Sequence, residues 1–319
     1  MSGPLRAVVL DDYAGAALGA ADWSVLGDRV RVDVLTEHIP DPDELVARLS
    51  GYDVVVAMRE RTPLPAVVLD RLTRLRLLVT TGMRNASIDV AAARANGVTV
   101  CGTRTSATST VEHTWALILG LARHLEQESA HMRAGEWQST QGIGLAGKQL
   151  GVVGLGRLGG EVARIGQAFG MSVVAWSTHL TQERADAVGV AKVGFDELLS
   201  TSDVVTLHLV LGDRSRGLVG ARELELMKPT ALLVNTSRGP IVQAGALLAA
   251  LQAGTIGGAA LDVYDQEPLP ADDPLRSAPR SLLTPHLGYV TDDGWRTFFA
   301  DVVEDVAAFL AGAPVRELP

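Results

Sequence analysis

One cysteine, Cys101, stands in a chain of 319 residues, and a single thiol excludes an internal disulfide. A reducing compartment, the cytoplasm, is therefore expected. No His or second Cys lies close to Cys101 in sequence, which removes a local metal site, and its place at the end of the apolar run 98–101 makes it core filling. An excess of positive charge is missing too. Against 37 Asp and Glu stand 28 Lys and Arg, a formal net charge of −9, which argues against nucleic acid as a partner because phosphate neutralisation needs a basic patch. No apolar run reaches about 18 residues, and no charged start leads into a long apolar stretch, so neither a membrane span nor an export signal is expected. Low-complexity tracts and a fixed short period are absent, which excludes a solenoid. What remains is a soluble globular composition, 47% hydrophobic and 20% charged, on a length that suits two domains with separate cores.

The first third alternates β-rich runs with helical spacing. Strands are predicted at 6–10, 30–35, 53–57, 75–80 and 98–101, with helices at 42–49 and 66–72 between them. Such alternation reads as βαβ units around a parallel sheet. A long apolar helix follows over 106–122, with Thr108, Ser109 or Thr110 as its cap. The stretch 135–147, rich in Gly and polar residues, reads as a loop. A second series of strands is predicted at 149–153, 172–176, 204–209, 231–234, 258–261 and 281–283, and a closing helix at 292–310.

The run 149–153 leads directly into Gly154-Leu155-Gly156-Arg157-Leu158-Gly159, with Val162, Ala163, Ile165 and Ala168 at helical spacing behind it. This is G-x-G-x-x-G between a strand and a helix. Gly154 permits the tight turn, Gly156 lets the backbone approach a pyrophosphate, and Gly159 lets the helix pack close, so that its N-terminus faces the anion. The next strand ends in Trp176-Ser177-Thr178-His179. An NAD site usually has Asp or Glu there, about 20 residues beyond the glycines, for the ribose 2′-hydroxyl. Ser177 removes the charge that would repel a 2′-phosphate, and Arg184 is the nearest basic residue, so the cofactor is NAD or NADP.

Three downstream segments carry chemistry. Val234-Asn235-Thr236-Ser237-Arg238-Gly239-Pro240 is a strand stopping in a polar turn, where ligands of open α/β sheets bind. The planar fork of Arg238 suits a carboxylate and a C2 oxygen. Leu261-Asp262-Val263-Tyr264-Asp265-Gln266-Glu267-Pro268 and Leu283-Thr284-Pro285-His286-Leu287-Gly288-Tyr289 each follow a short β run. Glu267 and His286 can thus meet at one sheet edge. A carboxylate beside an imidazole favours the protonated ring and fixes its tautomer. Reduction of a carbonyl needs that proton as hydride arrives, and oxidation of the alcohol needs the neutral ring as base. His113, on the apolar helix, reads as structurally satisfied, and His208 as a residue at the edge of the binding cleft.

With these segments, and with Ser202-Asp203-Val204-Val205-Thr206-Leu207-His208-Leu209 and Met227-Lys228-Pro229, the sequence resembles the D-isomer-specific 2-hydroxyacid dehydrogenases over nearly its whole length. That family includes D-lactate, glycerate, glyoxylate/hydroxypyruvate and 3-phosphoglycerate enzymes. The resemblance implies two doubly wound parallel-sheet α/β domains. A flavodoxin-like substrate domain (1–102 plus 288–319) would carry an inserted Rossmann cofactor domain (103–287), with the site in the cleft and a homodimer formed largely through the cofactor domain. It implies a 2-oxo or 2-hydroxy acid as substrate, His286 as acid/base, Glu267 as its partner and Arg238 as substrate ligand. Asp262 would contact the nicotinamide carboxamide, Arg157 and Leu158 the pyrophosphate, and Thr236 and Arg238 the cofactor's edge. The backbone of Thr81-Gly82-Met83-Arg84 resembles the family's substrate-carboxylate loop. Ser177, Gly102 and Val210 depart from the pattern, which commonly has an acid, Asn and Pro there. Arg59 or Arg61, in Met58-Arg59-Glu60-Arg61-Thr62-Pro63, is expected to select a second anionic group on the substrate, or else to form a solvated charge cluster. A cofactor-sensing corepressor on the same fold and a methyltransferase using S-adenosylmethionine are the rival classes. The Arg, Glu and His set argues against the second.

Overall fold

A computed structural model describes residues 3–106 and 108–319. The chain forms two compact units, with boundaries at 106/107 and 289/290. These lie four and two residues beyond the divisions expected from sequence.

The first unit opens with β1 (Leu5–Val9) and β2 (Val30–Val34), then α1 (Pro42–Leu49), β3 (Val54–Ala57), α2 (Ala66–Leu69), β4 (Leu77–Thr80), α3 (Val90–Ala95) and β5 (Thr99–Gly102). All pairings are parallel, in the order β2-β1-β3-β4-β5. This is the flavodoxin-like arrangement. The strands β3 and β4 are buried at every position, which explains why they read as continuous Val and Leu runs rather than as alternation. Asp41 starts α1 by accepting hydrogen bonds from the amides of Asp43 and Glu44 at 2.9 Å each, and Pro42 fits the first turn. Cys101 is fully buried, and burial pushes its thiol up to about 12, so it packs rather than reacts.

The second unit begins with α4 (Thr108–Ala122) and α5 (Leu125–Arg133). Because α4 starts at Thr108, the three residues expected to cap it lie in its first turn; the residue before it is outside the described residues. No regular element occupies 136–146, as the glycine-rich composition predicted. Then follow β6 (Gln149–Val153), α6 (Arg157–Ala168), β7 (Ser172–Trp176), α7 (Gln182–Asp186), β8 (Ala191–Lys192), α8 (Phe195–Thr201), β9 (Val204–Leu207), α9 (Ala221–Leu226), β10 (Leu232–Asn235), α10 (Ala244–Ala253), β11 (Gly258–Leu261) and β12 (Ser281–Leu283). The sheet is parallel throughout, ordered β12-β11-β10-β9-β6-β7-β8. That is the Rossmann order with one added strand, and it reverses direction between β6 and β9. Two apolar layers cover it, one centred on Trp115, Ile118, Leu150 and Val162, the other on Leu198, Leu233, Leu247 and Leu251. The two-residue edge strand β8 and the helices α7 to α10 have no counterpart in the sequence expectations. The chain re-enters the first unit as α11 (Asp292–Leu310), whose cap Thr291 accepts from Gly294 N at 3.1 Å.

The register of the second sheet positions everything that follows. Trp176 pairs with Val153, Val153 with Leu207, Leu207 with Asn235, Asn235 with Leu261 and Leu261 with Leu283. Six strands therefore end level. The residues immediately after them are Ser177, Gly154, His208, Thr236, Asp262 and Thr284.

Candidate active site

The glycine turn has the close approaches its sequence demands. Gly154 sits at φ +103°, and a Cβ there would lie 2.5 Å from the carbonyl oxygen of His208. A Cβ on Gly159 would lie 2.1 Å from the carbonyl oxygen of Gly154, so only glycine lets α6 seat against the turn. Gly156 differs: nothing lies within 4 Å of where its Cβ would be. It is the N-cap of α6 and makes no side-chain cap, so the leading amides at Arg157 and Leu158 have neither an intrahelical acceptor nor a capping oxygen. An open face over uncapped amides at the positive end of a 12-residue helix fits a dinucleotide pyrophosphate. Arg157 is exposed and Leu158 half-buried at that turn.

His208 closes the β9 end of this flank. Its Nε2 lies 2.9 Å from Thr206 Oγ1, and burial lowers its imidazole to about 4, which keeps the ring uncharged at neutral pH. Ser177, half-buried, follows β7. Thr236, expected at the cofactor's edge, has its hydroxyl 2.8 Å from that of Thr114 on α4, and the residue is buried. Its side chain ties β10 to α4.

On the other flank Glu267 and His286 meet. His286 Nδ1 lies 2.5 Å from Glu267 Oε2, with both side chains mostly sheltered. The second oxygen, Oε1, accepts the amide of Tyr264 at 2.9 Å, which fixes the carboxylate's orientation. Tyr289 meets the His286 ring edge-on, with centroids 5.2 Å apart. His286 itself stands at φ +55°, a left-handed conformation that costs a β-carbon residue of order 1 kcal/mol. Neighbours over-determine it. The amides of Leu287 and Gly288 donate to the two oxygens of Asp262 at 2.7 and 2.8 Å.

Asp262, expected at the nicotinamide carboxamide, is buried at the base of the His286 loop. Its side chain is 1% exposed. Besides the two amides, its Oδ1 accepts from Thr284 Oγ1 at 2.6 Å and lies 3.1 Å from His113 Nε2. These hydrogen bonds make the carboxylate a support that holds the His286 loop in place. Burial alone would raise its carboxyl, but hydrogen bonds from His113, Thr284 and the amide of Leu287 prevail and hold it below the usual carboxylate range. His113 also lies 3.0 Å from Thr284 Oγ1. It is thus a member of the site's support, which sequence alone left as an ordinary helix histidine.

Arg238 follows β10 in a turn shaped by Asn235. That buried side chain donates to the carbonyl of Arg238 at 2.9 Å and accepts the amide of Ser237 at 3.0 Å. Ser237 Oγ donates to the carbonyl of Leu209 at 2.5 Å. The spacing Asn-x-Ser at a strand end, an Asx-turn signature, is the sequence signal for this turn.

In the first unit, the loop after β4 is partly committed to its own fold. Thr81 N donates to Ala57 O at 3.0 Å and Gly82 N to Thr103 Oγ1 at 2.9 Å. The backbone amides of Thr81 and Gly82, in the loop expected at the substrate carboxylate, thus have acceptors within the unit. Arg59 lies against this loop, its amide donating to Thr81 Oγ1 at 2.9 Å and its guanidinium to Thr81 O at 3.0 Å. Arg61 is buried instead, donating to Asp11 O at 2.6 Å and lying 4.6 Å over the ring of Tyr13. Neither solvated charge nor a ligand role suits Arg61. Among the described residues no helix is long and apolar enough to cross a membrane, and no group of three metal-ligating side chains occurs.

A glycine turn between a strand and a helix, on a parallel sheet of this order, defines a Rossmann-type α/β protein. The comparisons give the family. A model of the D-isomer specific 2-hydroxyacid dehydrogenase NAD binding domain matches residues 115–288, and the chain belongs to that family. It is 36% identical to the D-3-phosphoglycerate dehydrogenase of Bacillus subtilis (strain 168) over 287 residues, covering 89% of this chain and 54% of that protein. Identity is also 36% to the glyoxylate reductase of Aeropyrum pernix, covering 89% of this chain and 94% of that one. Among solved structures, a phosphoglycerate oxidoreductase from Vibrio cholerae O395 superposes with TM-score 0.92 at 35% identity, covering 97% of this chain and 100% of that chain. The chain spans about half the length of the D-3-phosphoglycerate dehydrogenases it matches.

Proposed function

We propose that this protein interconverts a small 2-oxo acid and the corresponding D-2-hydroxy acid, with His286 as the proton donor and acceptor. The observation that carries this reading is the 2.5 Å contact between His286 Nδ1 and Glu267 Oε2. With Nδ1 committed to the carboxylate, Nε2 is the nitrogen that exchanges a proton with the substrate oxygen. Glu267 stabilises the ring when it carries the proton, and Arg238 holds the substrate's carboxylate and C2 oxygen with its fork of donors. In the first unit, the loop Thr81-Gly82-Met83-Arg84 is by the resemblance a substrate-carboxylate loop, and Arg59 lies against it. When bound, the nicotinamide of NAD or NADP supplies or accepts the hydride. The amides at the start of α6 would hold the pyrophosphate.

A homodimer is part of the proposal. Helix α5 has no buried residue, Leu125 and Met132 on it and Trp137 beyond it are exposed, and its acidic first turn and basic last turn complement an antiparallel copy of itself. Light scattering should give twice the chain mass, and Trp137→Glu should shift the protein toward monomer; a monomer at micromolar concentration would refute it.

The decisive experiment follows NADH and NADPH oxidation with glyoxylate, pyruvate, hydroxypyruvate and bulkier 2-oxo acids, with chiral analysis of the product. Turnover with at least one acid, giving the D isomer, is expected. Dinucleotide binding without turnover across the panel would replace the enzyme by a cofactor-sensing protein.

A further inference from the structure

The end of β7 carries no acid, and arginines from two separate elements hydrogen-bond to the turns that border it. Ser177 is the first residue after the strand, and the turn it opens closes with Leu180 N donating to Ser177 O at 3.0 Å. Thr181 then caps α7, accepting from Arg184 N at 3.3 Å. From it the Arg184 guanidinium donates to the carbonyl of Leu155, inside that turn, at 3.1 Å. Arg214, from the segment after β9, reaches across to His179, with NH1 3.1 Å from Nε2. One guanidinium is therefore tied to the glycine turn and the other to the turn after β7, and neither partner is a carboxylate.

A Rossmann domain selecting an unmodified ribose places a carboxylate at the end of this strand, where it accepts from the 2′-hydroxyl and repels a 2′-phosphate. Here the arrangement is inverted. A neutral hydroxyl stands at the selecting position, small enough to admit a phosphate. Two guanidiniums are hydrogen-bonded to the two turns that border it, at Leu155 and His179, and a guanidinium fork carries five donors. The acids of the neighbourhood, Glu183, Asp186 and Asp213, lie on the same segments, and the hydrogen bonds of Arg184 and Arg214 go to Leu155 and His179 instead. A dianionic phosphate would compensate this charge through charge-assisted hydrogen bonds.

We infer that the protein takes its dinucleotide phosphorylated at the adenosine 2′-oxygen, NADP(H), with Arg184 and Arg214 gripping that phosphate beside Ser177. This rests on the second unit being the dinucleotide domain of the proposed enzyme, but not on turnover. The test is binding to the full chain, read by quenching of tryptophan fluorescence, with NADPH, NADH, 2′,5′-ADP and 5′-AMP as probes. NADPH should bind at least about tenfold tighter than NADH, a difference near 1.4 kcal/mol, and its affinity should fall more steeply with salt. The 2′,5′-ADP should displace bound NADPH better than 5′-AMP does. In the double variant Arg184→Ala/Arg214→Ala the two affinities should converge through a loss of NADPH binding alone. Because a variant can lose binding by unfolding, Ser177→Asp supplies the opposite sign: it should weaken NADPH while keeping or strengthening NADH. Equal or tighter binding of NADH by the native chain, or an unchanged preference in both variants, overturns the inference while leaving the dinucleotide domain intact. Failure of both dinucleotides to bind removes the inference and the cofactor role together.

Discussion

The two flanks of the second sheet meet the same problem by different means. On the β6–β7 flank the groups at the strand ends are glycines, amides and a hydroxyl, and the nearby histidine, His208, is kept uncharged by burial. On the β10–β12 flank they are Arg238, Asp262, Glu267 and His286, and each has an intrachain hydrogen bond. Binding an extended anion needs only donors whose direction the backbone already fixes. Moving a proton needs a group whose charge changes, and in a sheltered place such a group must be held and compensated by others. Hence one flank depends on what is left out, side chains above all, and the other on a supporting network.

The sharpest way to separate the flanks is His286→Asn. Asparagine tolerates the left-handed backbone of this position, so folding should persist while kcat falls by about 10²–10⁴-fold and dinucleotide affinity is unchanged. Retained kcat would remove His286 from the chemistry. Glu267→Gln should cost less, roughly 10–100-fold in reduction, and it should move the alkaline limb of the pH–rate profile for reduction to lower pH, because the protonated ring loses its carboxylate partner. A profile left in place would dissolve the pair as a functional unit.

Asp262→Asn tests the support. Since the carboxyl of Asp262 is held below its ordinary range, its contribution to stability is present above the unfolded value of about 3.9 and is lost as pH falls through the depressed native value. The variant should lose about 1–3 kcal/mol at neutral pH, show a weaker acid-induced decline, and reduce kcat more than dinucleotide affinity. Equal stability at pH 7 in chemical denaturation would show that the four donors find other acceptors. The smallest effect on the fold belongs to Gly156→Ala. With nothing within 4 Å of the new Cβ, the melting temperature should stay within about 2 °C of native, yet dinucleotide should bind at least tenfold more weakly, or about 1.4 kcal/mol. A large drop in melting temperature would mean that the open face is not reserved for a ligand.

Much of this was legible before the coordinates. Runs such as 149–153, 172–176, 258–261 and 281–283 coincide with β6, β7, β11 and β12, because strands buried on both faces announce themselves as short apolar blocks between polar turns. The meeting of Glu267 with His286 was legible for the same reason: both follow strands that a parallel sheet brings to one edge. What stayed hidden was how donors are shared. Nothing in spacing reveals that Thr81 and Gly82 have their amides engaged, that Thr236 turns to Thr114, or that His113, 149 positions before Asp262 in sequence, reaches its carboxylate. Such contacts depend on side-chain direction across elements distant in the chain, which periodicity does not encode. The choice between Arg59 and Arg61 was hidden likewise, since the two lie in an irregular turn with Arg59 at φ +53°, where no periodicity fixes direction: Arg61 lies over the ring of Tyr13 and Arg59 along the loop.

The level ending of six strands carries a consequence for how this chain can change. Each key position counts from a strand end, so inserting one residue between Leu283 and His286 would shift the imidazole out of its place against Glu267. Lengthening the connections that enter the strands at the opposite edge moves none of these counts. Variation in length is therefore affordable on one rim of the sheet and prohibited on the other, and that opposite rim is where a graft, tag or extra domain can be introduced without disturbing the chemistry.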